Sequence, residues 1–255
     1  MYPILLVYYY KMKKIIYTIT FCIPILLHAQ EQSLFLNAQF HYDIRRDHPT
    51  ITQEFLAFDS WGFTFFFADL NFDHYRKTGG LSDVYFEFMR YFKVKEWRGK
   101  DFNVTIQYDD GTEPVKQVWL AGLNLSNLII GLFQLSTEFL LKSEYKFGLT
   151  WQYTLVWYAE LWRDKLIFSG YFDYWSNDNT DPDWPGFDPE LAATRYSFQA
   201  EPQIGWMLSP HWKLGSEWEI SRGFLGSVTG KLATETDYQH DRWYFLPTIF
   251  IQYNF

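Results

Sequence analysis

A chain of 255 residues in which 22% are aromatic and only 20% charged departs from ordinary globular composition, whose surface is charge-rich. The 30 acidic residues against 22 basic ones argue against a nucleic-acid polymer or an anionic membrane surface as partner, and the lone Cys22 excludes a disulfide framework. Apolar residues make up 48% of the chain while mean hydropathy is slightly negative, so apolar and polar residues must alternate instead of forming long runs.

In chain order, Met12-Lys13-Lys14 precede the apolar stretch 15–27, and Leu27-His28-Ala29 ends on a small residue before Gln30. Basic, apolar, then small is the order of a secretory signal peptide over residues 1–29, with residues 30–255 as the mature chain. Residues 4–10 are apolar and do not suit the start of such a signal, which marks Met12 as the expected start of translation. A retained anchor is the alternative, but the stretch contains Pro24 and falls short of the ~20 residues that a spanning helix needs. The residues before Cys22, Ile19-Thr20-Phe21, lack the small side chain that lipoprotein processing wants. Removing 1–29 takes Lys11, Lys13 and Lys14, leaving 19 basic residues against 30 acidic ones and a net charge of −11. That surplus suits neutral or cationic solutes and divalent ions.

After Gln30 no apolar run reaches helix-spanning length; the longest, Leu128 to Leu135, is interrupted by Gly131 and Gln134. Alternation is clearest at 147–158, where Phe147, Leu149, Trp151, Tyr153, Leu155 and Trp157 share one face and Gly148, Thr150, Gln152 and Thr154 the other. The segment 166–175 continues it across a tight connection at Arg163-Asp164. Ten further segments alternate: 33–43, 53–59, 61–72, 83–92, 102–108, 117–124, 133–145, 195–207, 212–221 and 242–255. The expected fold is all-β, a transmembrane antiparallel up-and-down barrel of about twelve strands, since only closed barrels span a membrane as strands. Short turns such as Asp59-Ser60 and 208–211 belong to the periplasm, and the long polar loops 176–194 and 222–241 to the exterior. No repeat of 20 to 50 residues is visible.

If the apolar register faces lipid, the opposite register lines the lumen. It nominates Tyr85, Glu87, Asp173, Trp175, Gln199, Glu201, Gln203, Glu217 and Glu219 as lumen and solute-contact residues. The turn at 208–211 sets Glu201 opposite Glu217 or Glu219, and such a pair demands a proton or a cation between the carboxylates. Arg90, Lys142, Arg222 and Arg242 are the protein cations on offer, with Arg90 expected to salt-link Glu87 or to snorkel at its strand end. Twelve strands lie between the side-chain-filled barrel of eight and the open one of 16 to 18. Two readings of the carboxylates therefore stand together: a polar binding station in a channel, or a closed network that stiffens a plugged barrel.

His41, Asp43, Asp47 and His48 cluster, and Asn177, Asn179, Asp181 and Asp183 alternate, but neither set matches a ligand motif, so no metal site is expected. No hydroxyl and histidine fall together as a hydrolytic triad needs: His211 lies in a turn and His240 in a loop. The expectation is a protein without catalytic residues or cofactor. The last segment places Phe245, Ile249, Ile251, Tyr253 and the terminal Phe255 on one face; a terminal aromatic on a closing strand is similar to the assembly signal of bacterial outer-membrane barrels.

Six stretches, HYDIRRD at 41–47, FLAFDSWGFTFFFADLNFDH at 55–74, YFEFMRYFK at 85–93, FSGYFDYW at 168–175, FQAEPQIGW at 198–206 and LGSEWEISRGF at 214–224, resemble a Bacteroidetes outer-membrane family related to the nucleoside-specific channel Tsx. The resemblance covers residues 34–255. It implies a cell outer-membrane location and passive, selective diffusion of nucleosides or similar small polar solutes, and it carries over no ligand residue. The partners then expected are outer-membrane lipid and lipopolysaccharide, the barrel assembly machinery and a small polar solute, with the oligomeric state open. A plugged barrel serving structure or surface contacts is the first rival, and a barrel hydrolase acting on lipid or glycan the second.

Overall fold

Strand pairing in the computed structural model closes on itself. The strands are β1 (Leu34–Asp43), β2 (His48–Asp59), β3 (Gly62–Phe72), β4 (Leu81–Trp97), β5 (Lys100–Gly111), β6 (Val118–Ile130), β7 (Phe133–Glu144), β8 (Gly148–Leu161), β9 (Leu166–Ser176), β10 (Tyr196–Ala200), β11 (Gln203–Met207), β12 (Trp212–Arg222) and β13 (Trp243–Asn254). Apart from β10 and β11, which do not pair with each other, strands adjacent in sequence pair antiparallel, and β13 returns to β1 from Asn37↔Asn254 to Asp43↔Thr248. β10 and β11 both lie between β9 and β12 and are halves of one strand, interrupted where Pro202 has no N–H to give the ladder. The result is a closed barrel of twelve strands, as the alternation implied. The structure describes residues 33–72, 79–112, 117–145, 148–176, 196–224 and 243–255. The signal segment, the stretch 177–183, His240 and Arg242 lie outside the described residues.

The two faces are chemically distinct. Phe40, Leu123, Phe139, Leu149, Phe245, Ile249 and Phe255 stand outward and exposed, whereas Gln39, Asn103, Gln107, Asn124, Ser197 and Thr248 point inward and are buried. This inverts a soluble protein and fits a barrel whose solvent is hydrocarbon. The twelve residues of β13 extend roughly 40 Å at ~3.3 Å per residue, which a tilt of about 40° reduces to roughly the 30 Å of a bilayer core. A closed barrel with such a belt is an outer-membrane architecture. The Phe255 N–H donates to Leu36 O, so the start of β1 and the end of β13 share the end of the barrel that carries all the two-residue connections, 60–61, 98–99 and 131–132, with 162–165 and 208–211. That end is periplasmic.

Several strands run longer than their alternation suggested. β2 starts at His48, not at residue 53, because Pro49 falls where only β1 needs to be paired; β3 joins from Thr50 onward. β4 and β5 continue as a hairpin past Phe92, through a bulge between Lys93 and Lys95, to a turn at Arg98 and Gly99 with φ of 53° and 75°. The charges in this stretch hid the alternation: Lys93 pairs with Glu96 and Asp101 at 2.9 and 2.7 Å. On the extracellular side the first connection, 44–47, is a tight turn and not a long loop.

Arg90 does not link to Glu87. Its register is outward, opposite Thr64, and its guanidinium reaches the periplasmic rim to grip both oxygens of Asp59 at 2.8 and 2.9 Å. The two residues lie on opposite faces of β4, which the expected Glu87 link ignored. Arg90→Ala is expected to lower the unfolding free energy by about 1 kcal/mol in urea titrations of the refolded barrel. Asp59→Ala should do the same, and the double substitution should add little to either single one.

Candidate functional site: the lined interior

All nine residues nominated from the alternation sit on the inner face. Tyr85 and Glu87 come from β4, Asp173 and Trp175 from β9, and Gln199 and Glu201 from the β10 half of its strand and the break. Gln203 comes from β11, and Glu217 and Glu219 from β12. Trp175 and Glu219 are buried; the other seven are half-exposed to the interior. Ala200↔Ile220 and Gln203↔Glu217 bracket the break, so Glu201 falls opposite Glu219. Glu54 on β2, Asp69 on β3 and Asp109 on β5 join them; each is half-exposed and went unnominated.

Five of the half-exposed carboxylates share one design: each is held by a neutral donor from its own or an adjacent strand. The Tyr85 hydroxyl donates to Glu87 (2.5 Å), Thr52 to Asp69 (2.5 Å), and Thr154 to Asp173 (2.5 Å). The Gln199 amide donates to Glu201 (2.7 Å) and the Gln203 amide to Glu217 (3.1 Å). A neutral donor fixes orientation and leaves the charge uncompensated. Glu87 on β4 and Glu201 at the break between β10 and β11 are six strands apart in a ring of twelve, so they stand on facing walls. A ring of twelve strands is intermediate in width between a barrel filled by side chains and an open one.

The walls are not equivalent. Along β5 to β7 the inner residues Asn103, Thr105, Gln107, Leu120, Asn124, Ser126, Glu138 and Leu140 are all buried. Glu138 accepts from Tyr91 (2.7 Å), Gln107 (2.6 Å) and Asn124 (3.2 Å), so this carboxylate is spent on packing. The half-exposed carboxylates lie mainly on β2 to β4 and β9 to β12, beside inward aromatic rings: Phe63 stacks on Tyr91 at 4.1 Å and Phe67 meets Tyr85 edge-on at 5.7 Å. Residues 63–67 had concealed this wall because both faces there are aromatic; Phe66 stands outward against Phe55 at 5.4 Å.

Of the four cations that the sequence left unplaced, two lie on the outer face. Lys142 does face inward, 3.2 Å from Glu144 and 4.9 Å over the Trp175 ring, but Arg90 and Arg222 are in the outward register, with Arg222 6.0 Å from the Trp243 ring. Arg46 was not foreseen, whereas the alternation of β12 already puts Lys213 on the inner face with Glu217 and Glu219. Lys213 donates to Gln203 (2.8 Å) and lies over Phe250 (5.1 Å), its stem flat against the wall where Gly205 leaves room. His41 stacks on the other side of this cluster, 5.1 Å from Phe250, and donates to or accepts from Gln39 and Thr248. Among the described residues no group of three potential ligands is arranged to hold a metal ion.

A family model described as a domain of unknown function, DUF5020, matches residues 35–255. The chain belongs to this family. No curated protein matches this DUF5020 barrel. Among solved structures, the NanC porin is similar with a TM-score of 0.57 at 7% identity, covering 86% of this chain and 98% of that one. The KdgM porin gives 0.50 at 8% identity over 88% and 99%. KdgM in complex with disordered oligogalacturonate gives 0.50 at 8% identity over 86% and 99%. At such identities the likeness is one of fold, the outer-membrane porin barrel, and this DUF5020 chain is an outer-membrane protein of that fold.

Proposed function

We propose that this DUF5020 barrel is a passive outer-membrane channel for small polar solutes of neutral or positive charge. The observation that carries the reading is the set of half-exposed carboxylates on facing walls, five of them fixed by neutral donors, which among the described residues outnumber the inward cations Arg46, Lys142 and Lys213. A barrel built only for rigidity gains nothing from unbalanced charge in its interior, where every carboxylate removed from water costs free energy. A bore that presents fixed acceptors to a passing solute uses that charge.

Nucleosides are the finer assignment, following from the resemblance to the Tsx-related family. Rings such as Phe67 and Tyr85 beside Asp69 and Glu87 suit stacking on a base while carboxylates accept from sugar hydroxyls. One similar porin was solved with oligogalacturonate, an anion; the acidic lining here disfavours such a ligand. The packed β5 to β7 wall favours a second reading, a plugged barrel of structural role.

Planar-bilayer recording separates them. The refolded barrel is expected to pass steady single-channel current, which added nucleosides reduce in a dose-dependent way and oligogalacturonate leaves unchanged. Absence of current would sink the channel; current that nucleosides leave unaltered would remove only the nucleoside assignment.

A further inference from the structure

The turn 44–47 does more than join β1 to β2. It is fastened to β13, the Ile44 N–H donating to Pro247 O (3.2 Å) and Arg45 Nη1 to Phe245 O (3.2 Å). Its own Asp43 is almost fully buried. Asp43 Oδ1 accepts the backbone N–H groups of Arg45 and Arg46, and Oδ2 accepts Arg46 Nε at 2.6 Å. The guanidinium so held extends inward, and its Nη1 meets Glu219 Oε2 on β12 at 3.1 Å. β1 and β12 are the two neighbours of β13, so Arg46 crosses the inner face of β13 at Leu246, the partner of Glu219, over roughly 10 Å at ~4.8 Å per strand. Leu246 is 0% exposed, although it faces the lumen.

Resting on the channel reading above, we propose that Arg46 sets the charge selectivity of the extracellular half of the bore: a fixed protein cation at the outer end of the acidic wall that offsets Asp43 and Glu219 and so limits the cation preference the carboxylates would otherwise impose. Stability does not account for the charge. A buried ion pair contributes little net free energy compared with neutral packing, and the turn is already tied by backbone hydrogen bonds. Glu219, which Arg46 meets, stands opposite Glu201, the next carboxylate down the wall. Toward the periplasm, Lys213 donates to Gln203, whose amide in turn holds Glu217. The carboxylates of this wall are thus bounded by a protein cation at either end, an arrangement that raises the barrier for a bare monovalent cation at the mouth while a neutral solute meets only hydrogen-bond acceptors.

Reversal potentials in a potassium chloride gradient test this, with folded material selected by heat-modifiable gel mobility. Arg46→Gln is expected to raise the potassium-to-chloride permeability ratio roughly two- to fivefold, the effect of one unit charge several ångström from the bore. Arg45→Gln removes the same charge from the same turn, but from a side chain that bonds Phe245 O and none of the inner-wall carboxylates, and should leave the ratio unchanged. Arg46→Lys, which keeps the charge, should resemble the wild type. The inference is overturned if Arg46→Gln matches Arg45→Gln, or if Arg46→Lys moves as far as Arg46→Gln. Wild-type protein that passes no current overturns the channel reading and this inference together; current with an unmoved reversal potential overturns this inference alone.

Discussion

Exchanging Glu201 and Glu217 together for Gln is expected to lower the cation-over-anion permeability ratio roughly three- to tenfold, the effect of two unit charges near a narrow bore at an effective dielectric between protein and water. Gln is close to isosteric with Glu, and its carbonyl oxygen still accepts from Gln199 at 201 and from Gln203 at 217, so the inner wall keeps its hydrogen bonds. The change is therefore one of charge. Removing a charge from the periplasmic turn 162–165, by Asp164→Asn, should leave the ratio where it was, since that side chain is exposed in a turn beyond the strand ends. Screening supplies a further check: the difference between wild type and variant should shrink as salt rises from 0.1 to 1 M, where the Debye length falls from about 10 to 3 Å. An unchanged ratio at low salt would assign these carboxylates to structure. The sign is opposite to that expected for Arg46→Gln, so the two substitutions probe one wall from both directions.

How far the interior could be read from the chain depended on whether the two faces differed. On β12 one register is mostly aromatic or aliphatic and the other polar or glycine, and on β9 the outward register is apolar or glycine from Leu166 to Tyr174, so period-2 reading put Asp173, Glu217 and Glu219 inward. On β3 the run Phe63 to Phe67 is aromatic in both registers, Thr64 excepted, so the inward rings and Asp69 behind them gave no contrast. Arg46 was missed for a different reason. It lies in a turn, where no periodicity operates, and its direction is set by three hydrogen bonds to Asp43 that join residues close in sequence and by an ion pair to Glu219, 173 positions away. Asp43 itself was read as part of a loose cluster with His41 and His48, although its acceptor oxygens are committed to the turn. Glu138 shows the remaining limit: alternation places it inward, but only three-dimensional neighbours reveal that Tyr91, Gln107 and Asn124 converge on it.

Gly170→Ala is expected to destabilise the barrel by about 3 kcal/mol or more and to reach the acidic wall through the backbone. Gly170 has φ of 152°, which L side chains rarely adopt, and a Cβ there would stand 2.4 Å from Glu201 O and 2.9 Å from Pro202 Cα. Both atoms belong to backbone that cannot swing aside, because the Glu201 N–H donates to Tyr171 O and Pro202 O accepts from the Trp218 N–H, each at 3.0 Å. On the outer face the Trp157 ring lies over the glycine, covering the gap a missing side chain would leave. The glycine is thus what lets the interrupted strand press against β9 and hold Glu201 in the lumen. Gly131→Ala is the matched comparison: its φ of 62° is also positive, but a Cβ there meets nothing within 4 Å, and a cost of about 1 kcal/mol is expected. Unfolding midpoints in urea measure both. Equal losses would mean that strain at the glycine, and not the close approach of the Glu201-Pro202 backbone, sets the cost; a larger loss at Gly170, with altered cation selectivity in the material that still folds, would tie the break in this strand to the charge lining of the bore.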